Sequence, residues 1–247
     1  MLEQYDVVPT LITVVVLLSV ATVVLSLAGV RHRLAVVLAV VRGTLQLAAI
    51  SVLLTGVISD PFWVAVALSV MFTVAAVTST RRLHWSWAKF GVVAGSMAAG
   101  VSVVMVTVFA TGALEFSPRY VLALGGIIIG GSMAVATLAG RRLGQATTDR
   151  WDEVEGWLAL GATNRQATVD IAKFSIWESL IPSTDQTKTT GLVTLPGAFV
   201  GAIFGGVAPV EAGLFQMVVL SGIVAAGSVT ASMMVYVLAP KLERIDA

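Results

Sequence analysis

Tyr120-Val-Leu-Ala-Leu-Gly-Gly-Ile-Ile-Ile-Gly130-Gly-Ser-Met-Ala-Val-Ala-Thr-Leu-Ala-Gly140 carries no charged side chain, and Arg141 and Arg142 follow it directly. A helix rises ~1.5 Å per residue and the hydrocarbon core is ~30 Å thick, so a run of this length reads as a membrane-crossing helix that stops on two cations. After it comes the only long polar insertion in the chain, Arg141 to Lys188. The insertion contains Glu155-Gly-Trp-Leu-Ala-Leu-Gly161-Ala162 followed by Thr163-Asn-Arg-Gln166. An apolar bundle that keeps one amphipathic segment in water is expected to dock something there.

Working outward, the same reading applies to Val7 to Val30, Phe62 to Thr80, Phe90 to Leu114, Thr189 to Val210 and Ala212 to Pro240. It also applies to Leu34 to Ile58, with Arg42 as its single charge. The whole chain agrees, being 57% hydrophobic and 12% charged with a mean hydropathy of +0.94. A soluble domain needs about a quarter of its residues charged. The expected fold is therefore all-α: a polytopic integral membrane protein of about seven transmembrane helices, a single domain over 1–247. A hairpin, at about 141–188, lies between spans five and six.

The basic residues set the orientation. Apart from Arg42 and Arg119, all 15 Lys and Arg fall in alternate loops or the C-terminal tail, which the positive-inside rule assigns to the cytoplasm. The other loops are short and carry Glu3, Asp6, Asp60, Glu115 and Glu211. The N-terminus is expected outside and the C-terminus inside, in a multi-pass protein of the plasma membrane. The first apolar run follows acidic residues and precedes its cations, so it reads as a retained span and not as a signal peptide. The chain has no cysteine, which removes disulfides, thiolate metal sites and thiol catalysis.

Within the insertion a polar link is expected at Leu143 to Arg150, then a helix from about Trp151 to Leu160. Gly161 can take the positive φ that closes it. Thr163 with Gln166 fits a capping box that starts a second helix, expected to run to Ile181 and to end at Pro182. Ala162 to Arg165 would then form the tip. Ile171, Phe174, Trp177 and Ile181 recur at steps of three and four, an apolar face that fits either the membrane surface or neighbouring spans. In the sixth apolar run Gly197, Gly201 and Gly205 share a face suited to close helix packing, within one chain or between two.

Two polar sets lie in or beside the spans. Arg42 has Gln46 at i+4, and reads either as a polar lining of a pathway or as an arginine snorkelling to headgroups. Asp185 and Lys188, at i and i+3, read either as an ion pair at the mouth of a span or as a solvated surface pair. His32 and His84 sit among arginines, where a divalent cation is repelled. No group of residues forms a coordination sphere by spacing, so the metal ligands stay unknown at this stage. There is no Gly-Lys dipeptide, hence no phosphate-cradling loop, and no hydrolase motif.

The insertion resembles the coupling motif of ABC-transporter permeases. Glu155 stands at its glutamate, Gly156 and Trp157 replace its two alanines, Gly161 is its glycine, and Ile171 follows after nine residues. A broader resemblance rests on three segments. They are Val40-Val-Arg-Gly-Thr-Leu-Gln46, Gly130-Gly-Ser-Met-Ala-Val135 and Ile181-Pro-Ser-Thr-Asp-Gln-Thr-Lys-Thr-Thr-Gly-Leu-Val-Thr-Leu-Pro-Gly197. In order and spacing these resemble the FetB-type iron-export permeases, whose plant relatives are linked to aluminium tolerance. Ser132 departs from the asparagine expected there.

The resemblance implies a permease subunit with no catalytic site or bound cofactor of its own, driven by a separate ATPase that carries ATP and Mg. It implies a permease homodimer, two ATPase copies, the lipid bilayer as surroundings, and no nucleic-acid partner. On it Glu155, Gly161, Ala162, Thr163, Asn164 and Arg165 are the coupling residues. Arg42, Gln46, Ser132, Met133, Asp185 and Lys188 are pathway candidates, and iron or another metal ion is the expected cargo. Other classes remain in view: an ion-gradient carrier, an ABC permease for a sugar nucleotide or other organic substrate, and a non-transporting scaffold.

Overall fold

The computed structural model describes residues 7–31, 33–57 and 60–241. Glu3, Asp6, His32 and Ile58, used above, lie outside the described residues, as does Arg244 of the C-terminal tail. The chain divides into two compact units, Met1–Val57 and Ile58–Ala247. The first holds two helices packed on each other, α1 (Val7–Leu27) and α2 (Arg33–Val57).

The second unit contains α3 (Pro61–Arg82), α4 (Trp87–Ala110), α5 (Pro118–Asp149), α6 (Trp151–Ala159), α7 (Asn164–Ala167) and α8 (Val169–Thr189). It continues with α9 (Gly197–Phe204), α10 (Pro209–Leu238) and a 3-10 turn, Ala239–Lys241. Local chemistry sets the helix starts. Asp60 caps α3 by accepting the Phe62 amide at 2.9 Å, with Pro61 at the first helical position. Ser86 caps α4 through the Lys89 amide at 3.1 Å, and the Lys89 ammonium donates to the Leu83 carbonyl at 3.0 Å, satisfying the end of α3.

The centre of this unit is α4, α5 and α10, with α3 and α8 against α5. Small residues bring the helices together. A Cβ at Gly100 would lie 2.5 Å from the Ala226 carbonyl of α10, and one at Gly140 would meet Leu83 at 2.5 Å. Ala76, Val93, Met97, Ala136, Ala139, Ala231, Met234 and Val235 fill the core between these approaches. Two polar ties cross it, Ser79 to Thr137 at 3.0 Å and the Thr230 hydroxyl donating to the Ser96 carbonyl at 3.4 Å. At Gly197 and Gly201, among the described residues, nothing beyond the helix's own neighbouring backbone comes within 4 Å of a Cβ position.

The protein is a polytopic all-α membrane protein. Among the described residues six helices, α1 to α5 and α10, are long and apolar enough to cross a bilayer. The seventh expected crossing, Thr189 to Val210, is not a continuous helix. It breaks at Thr190 to Pro196, where Gly191 takes φ +88° and the Gly191 amide donates to the Thr194 carbonyl at 2.8 Å. The following α9 is 8 residues, about 12 Å, which is far short of a span. The run looked continuous because hydropathy does not register backbone geometry.

Two boundaries in the insertion also move. The expected link at Leu143 to Arg150 is helical as far as Asp149, the C-terminal end of a 32-residue α5. Leu143, Ala146 and Thr147 are buried at helical spacing and hold it. Pro182 lies inside α8 instead of ending it. Proline interiors are tolerated where neighbouring helices and hydroxyls re-satisfy the backbone, and Ser183 and Thr187 donate to the Leu180 and Ser183 carbonyls here.

Candidate functional site

The hairpin follows from residue chemistry at each joint. Arg150 ends α5 and holds Glu153 in the first turn of α6 through two hydrogen bonds of 2.8 Å. The Trp151 indole donates to Glu155 at 2.7 Å. Gly161 takes φ +87°, and the Ala162 amide returns to the Trp157 carbonyl at 3.0 Å, closing α6. Thr163 and Gln166 then form a reciprocal capping box for α7: the Thr163 amide donates to Gln166 Oε1 at 2.9 Å, and the Gln166 amide to Thr163 Oγ1 at 3.3 Å.

Asn164 at the tip is tied to the far end of the unit, its Nδ2 donating to the Pro240 carbonyl at 3.2 Å. The elbow therefore stands beside the C-terminal end of α10. Arg81, Arg82, Lys89 and Lys241 occupy the ends of helices that finish or begin on this side, and Arg141 and Arg142 lie in the last turns of α5. Leu160 is 82% exposed and Trp157 49% exposed. With Glu153, Gly161, Asp170 and Lys173 they border a cleft of about 620 Å³ that opens between α6 and α8.

The expected apolar face of α8 divides between core and surface. Phe174 and Trp177 are about half exposed, while Ile171, Ala172, Ser175 and Ser179 are buried against the core. Ile171 enters the core beside the small Ala172, Ser175 and Ser179, and the aromatic side chains turn outward. Leu180 and Val135 both sit against Gly227 of α10, and Phe199 of α9 reaches Gly213 near the start of α10. Thus α8, the break and α9 run antiparallel along α10 from its C-terminal end to its N-terminal end. An ion pair that sequence spacing did not flag, Arg142 with Glu178 at 3.8 Å, joins α5 to α8. Only the fold brings these two residues together, since they are far apart in the chain and share no helix.

The pathway candidates separate. Arg42 and Gln46 are exposed on α2 of the first unit. Ser132 and Met133 lie on α5, Ser132 fully buried with its hydroxyl unpartnered and Met133 packed on the core. Asp185 and Lys188 come together at 3.5 Å on α8, with side chains 61% and 68% exposed. Gln216 on α10 is a further buried polar residue, its Oε1 without a partner, which the apolar run around it concealed. Among the described residues no group of three His, Asp or Glu is placed to hold a metal ion. His84 occupies the turn after α3 with φ +61°.

Residues 8–242 match the Uncharacterised protein family UPF0014. The UPF0014 membrane protein STAR2 of rice is 34% identical over 204 residues, 82% of this chain and 72% of that protein. Protein ALUMINUM SENSITIVE 3 of Arabidopsis is 36% identical over 203 residues, 81% and 74% of the two chains. The probable iron export permease protein FetB of Escherichia coli is 37% identical over 120 residues, 49% of this chain and 46% of that protein. No solved structure matches.

Proposed function

The chain belongs to the membrane-protein family UPF0014, and we propose that it is the permease subunit of an ATP-driven exporter, powered by a separate ATPase that docks on the elbow around Gly161. The observation that carries this reading is the build of the elbow. Its helix is closed by Gly161, the next is started by a capping box, and the tip is tied to Pro240. A short hairpin held at both ends transmits a rigid-body push, whereas a floppy loop absorbs it. Exposed Leu160 and Trp157 beside the cleft give a partner an apolar handhold among charged neighbours.

Glu155, Ala162, Thr163, Asn164 and Arg165 line or shape this docking tip in the proposal, which puts the N-terminus outside, the C-terminus in the cytoplasm and the protein in the plasma membrane. A metal ion is the proposed cargo, by likeness to a relative described as a probable iron export permease. A permease homodimer with two ATPase copies is the proposed assembly. α8, the break and α9 form the remaining passage through the bilayer. Broken helices occur at membrane depth where they line a cavity or are covered by protein.

A second reading is favoured by one specific observation. Asp185 and Lys188 are a pair of charges near the end of α8, a helix packed along the apolar α10, and ion-gradient carriers keep ionisable residues within their helix bundles. Reconstitution with and without the ATPase separates the two. Metal uptake into vesicles with the ATPase-docking side outward that requires ATP and the ATPase, and that is lost when Ala162 to Arg165 are scrambled, supports the exporter. Uptake driven by a proton or sodium gradient alone overturns it.

A further inference from the structure

The short turn from α3 to α4 is built more firmly than a connector needs to be. Leu83 folds back onto α5, where a Cβ at Gly140 would lie 2.5 Å from it. Its amide closes on the Thr80 carbonyl at 3.0 Å, and His84 takes φ +61°, the left-handed conformation that reverses the chain. The Lys89 ammonium donates to both the Leu83 and the His84 carbonyls, at 3.0 and 3.3 Å. Trp85, Trp87 and Phe90 then pack ring on ring, with centroids 5.3, 5.5 and 6.2 Å apart. Trp87 is nonetheless 77% exposed and Trp85 41%.

Cations collect at the same corner. Ser79 bonded to Thr137 and Leu83 set on Gly140 hold α3 and α5 in parallel step, so Arg141 comes level with the end of α3, where Arg81 and Arg82 stand. All three arginines are exposed, and among the described residues none of them is in an ion pair. Arg142 differs, being held by Glu178. The chain through α3 and α4 offers no counter-charge, since no Asp or Glu occurs between Asp60 and Glu115.

We propose that this corner binds an anionic phospholipid, Arg81, Arg82 and Arg141 taking the headgroup phosphate while the cluster of Trp85, Trp87 and Phe90 seats the glycerol and the upper acyl chain. Charge and aromatic character together choose the occupant. An indole has an apolar body and a polar N–H, and such rings collect where the ends of spans meet headgroups. Trp87 stands there, the first residue of the membrane-crossing α4. Guanidinium groups grip phosphate oxygens through paired hydrogen bonds, and basic pockets between the ends of spans hold lipid headgroups. The elbow is a different surface. It is tied to the end of α10, and Glu153, Asp170 and Lys173 of both signs border its cleft, which suits a protein. The corner belongs to α3, α4 and α5 and carries one sign only. The proposal goes beyond the permease reading, because it needs no ATPase.

The test measures lipid retention by the full chain in detergent micelles doped with dioleoyl phosphatidylglycerol or dioleoyl phosphatidylcholine, read by native mass spectrometry. Each cation near an anionic lipid contributes about fivefold, so the natural chain should retain phosphatidylglycerol well over tenfold better. R81Q, R82Q and R141Q combined should remove the preference, whereas R119Q, an exposed arginine at the opposite end of α5, should leave it. Equal retention of the two lipids by the natural chain overturns the proposal. R81K, R82K and R141K combined keep the charge and should keep most of the preference. If the lysine and glutamine triples fail alike, the arginines serve packing and the proposal falls. It falls also if soluble glycerol phosphate displaces the bound lipid, which would assign the corner to a free phosphate. Fluorescence gives a second measurement, with Trp87 read as the difference between the natural chain and W87F. Brominated phosphatidylglycerol should quench Trp87 more than brominated phosphatidylcholine does, and equal quenching overturns the proposal. ATPase capture is scored separately. Capture lost in the glutamine triple with phosphatidylglycerol still retained assigns the corner to the protein partner and overturns the inference. Equal lipid retention beside intact ATP-driven uptake sinks it and leaves the exporter standing.

Discussion

α4 and the α8-to-α9 segment both lie along α10, yet they meet it by opposite means. Along α4 the contact is dry and close: Gly100 lets the Ala226 carbonyl approach to where a Cβ would be 2.5 Å away, and Met97 and Val104 are buried beside it. Along α8 the buried side is Ile171, Ala172, Ser175 and Ser179, and the outer side carries Phe174 and Trp177 followed by Asp185 and Lys188. Beyond it α9 shows Gly201 to open space. One helix is finished by the contact; the other keeps a face in reserve. Glycine at a crossing and glycine on a free face look alike in a sequence, and only their neighbours tell them apart.

This contrast can be broken most sharply at the crossing itself. Gly100→Val places branched carbons against a backbone carbonyl that cannot move aside, and a loss of about 3 kcal/mol is expected. The measurement is the thermal unfolding midpoint in detergent. Gly201→Ala meets nothing within 4 Å, so the same assay should show no loss and, from helix propensity, a gain of up to about 1 kcal/mol. If Gly201→Ala destabilises the purified chain as much as Gly100→Val, the claimed difference between the two faces is wrong.

A second pair of tests addresses the elbow. Leu160→Asp puts a charge on an apolar side chain that is 82% exposed. It should leave the unfolding midpoint unchanged and reduce ATPase capture at least about tenfold, the scale of a truncated interface anchor. Unchanged capture would mean that the partner docks elsewhere. The Arg142 and Glu178 pair joins α5 to α8 across 3.8 Å, with partly exposed side chains. Arg142→Met should cost about 1 kcal/mol, discounted for solvent screening, and R142E with E178R should recover most of it. Smallest of all, Asn164→Ala removes the tie to Pro240 and should cost about 0.5 kcal/mol. Its signature is faster amide exchange at Ala167 and Thr168, with the core unaffected.

Sequence reading reached the parts governed by local rules. The membrane class, the end of α6 at Gly161 and the Thr163–Gln166 box depend on residues within a few positions of one another, and the structure has each of them. It failed where long-range packing overrules a local signal. Pro182 reads as a terminator, yet α8 continues through it because α5 and α10 support both sides. Arg141 and Arg142 read as the end of a span, yet the buried Leu143, Ala146 and Thr147 extend α5. The face of Ile171, Phe174, Trp177 and Ile181 divides: Ile171 is buried with Ala172, Ser175 and Ser179, while Phe174 and Trp177 are about half exposed, a split that periodicity alone does not show.

The tie between Asn164 and Pro240 has a consequence for how force would travel. The insertion leaves the bundle from the end of α5 and re-enters it as α8, and the tie makes a third attachment at the end of α10. Three attachments define a plane, so a load applied at the tip cannot swing the hairpin about a single axis. It must tilt the three long helices together, and a machine that needs to open a gap elsewhere in the membrane gains leverage from a handle that does not wobble.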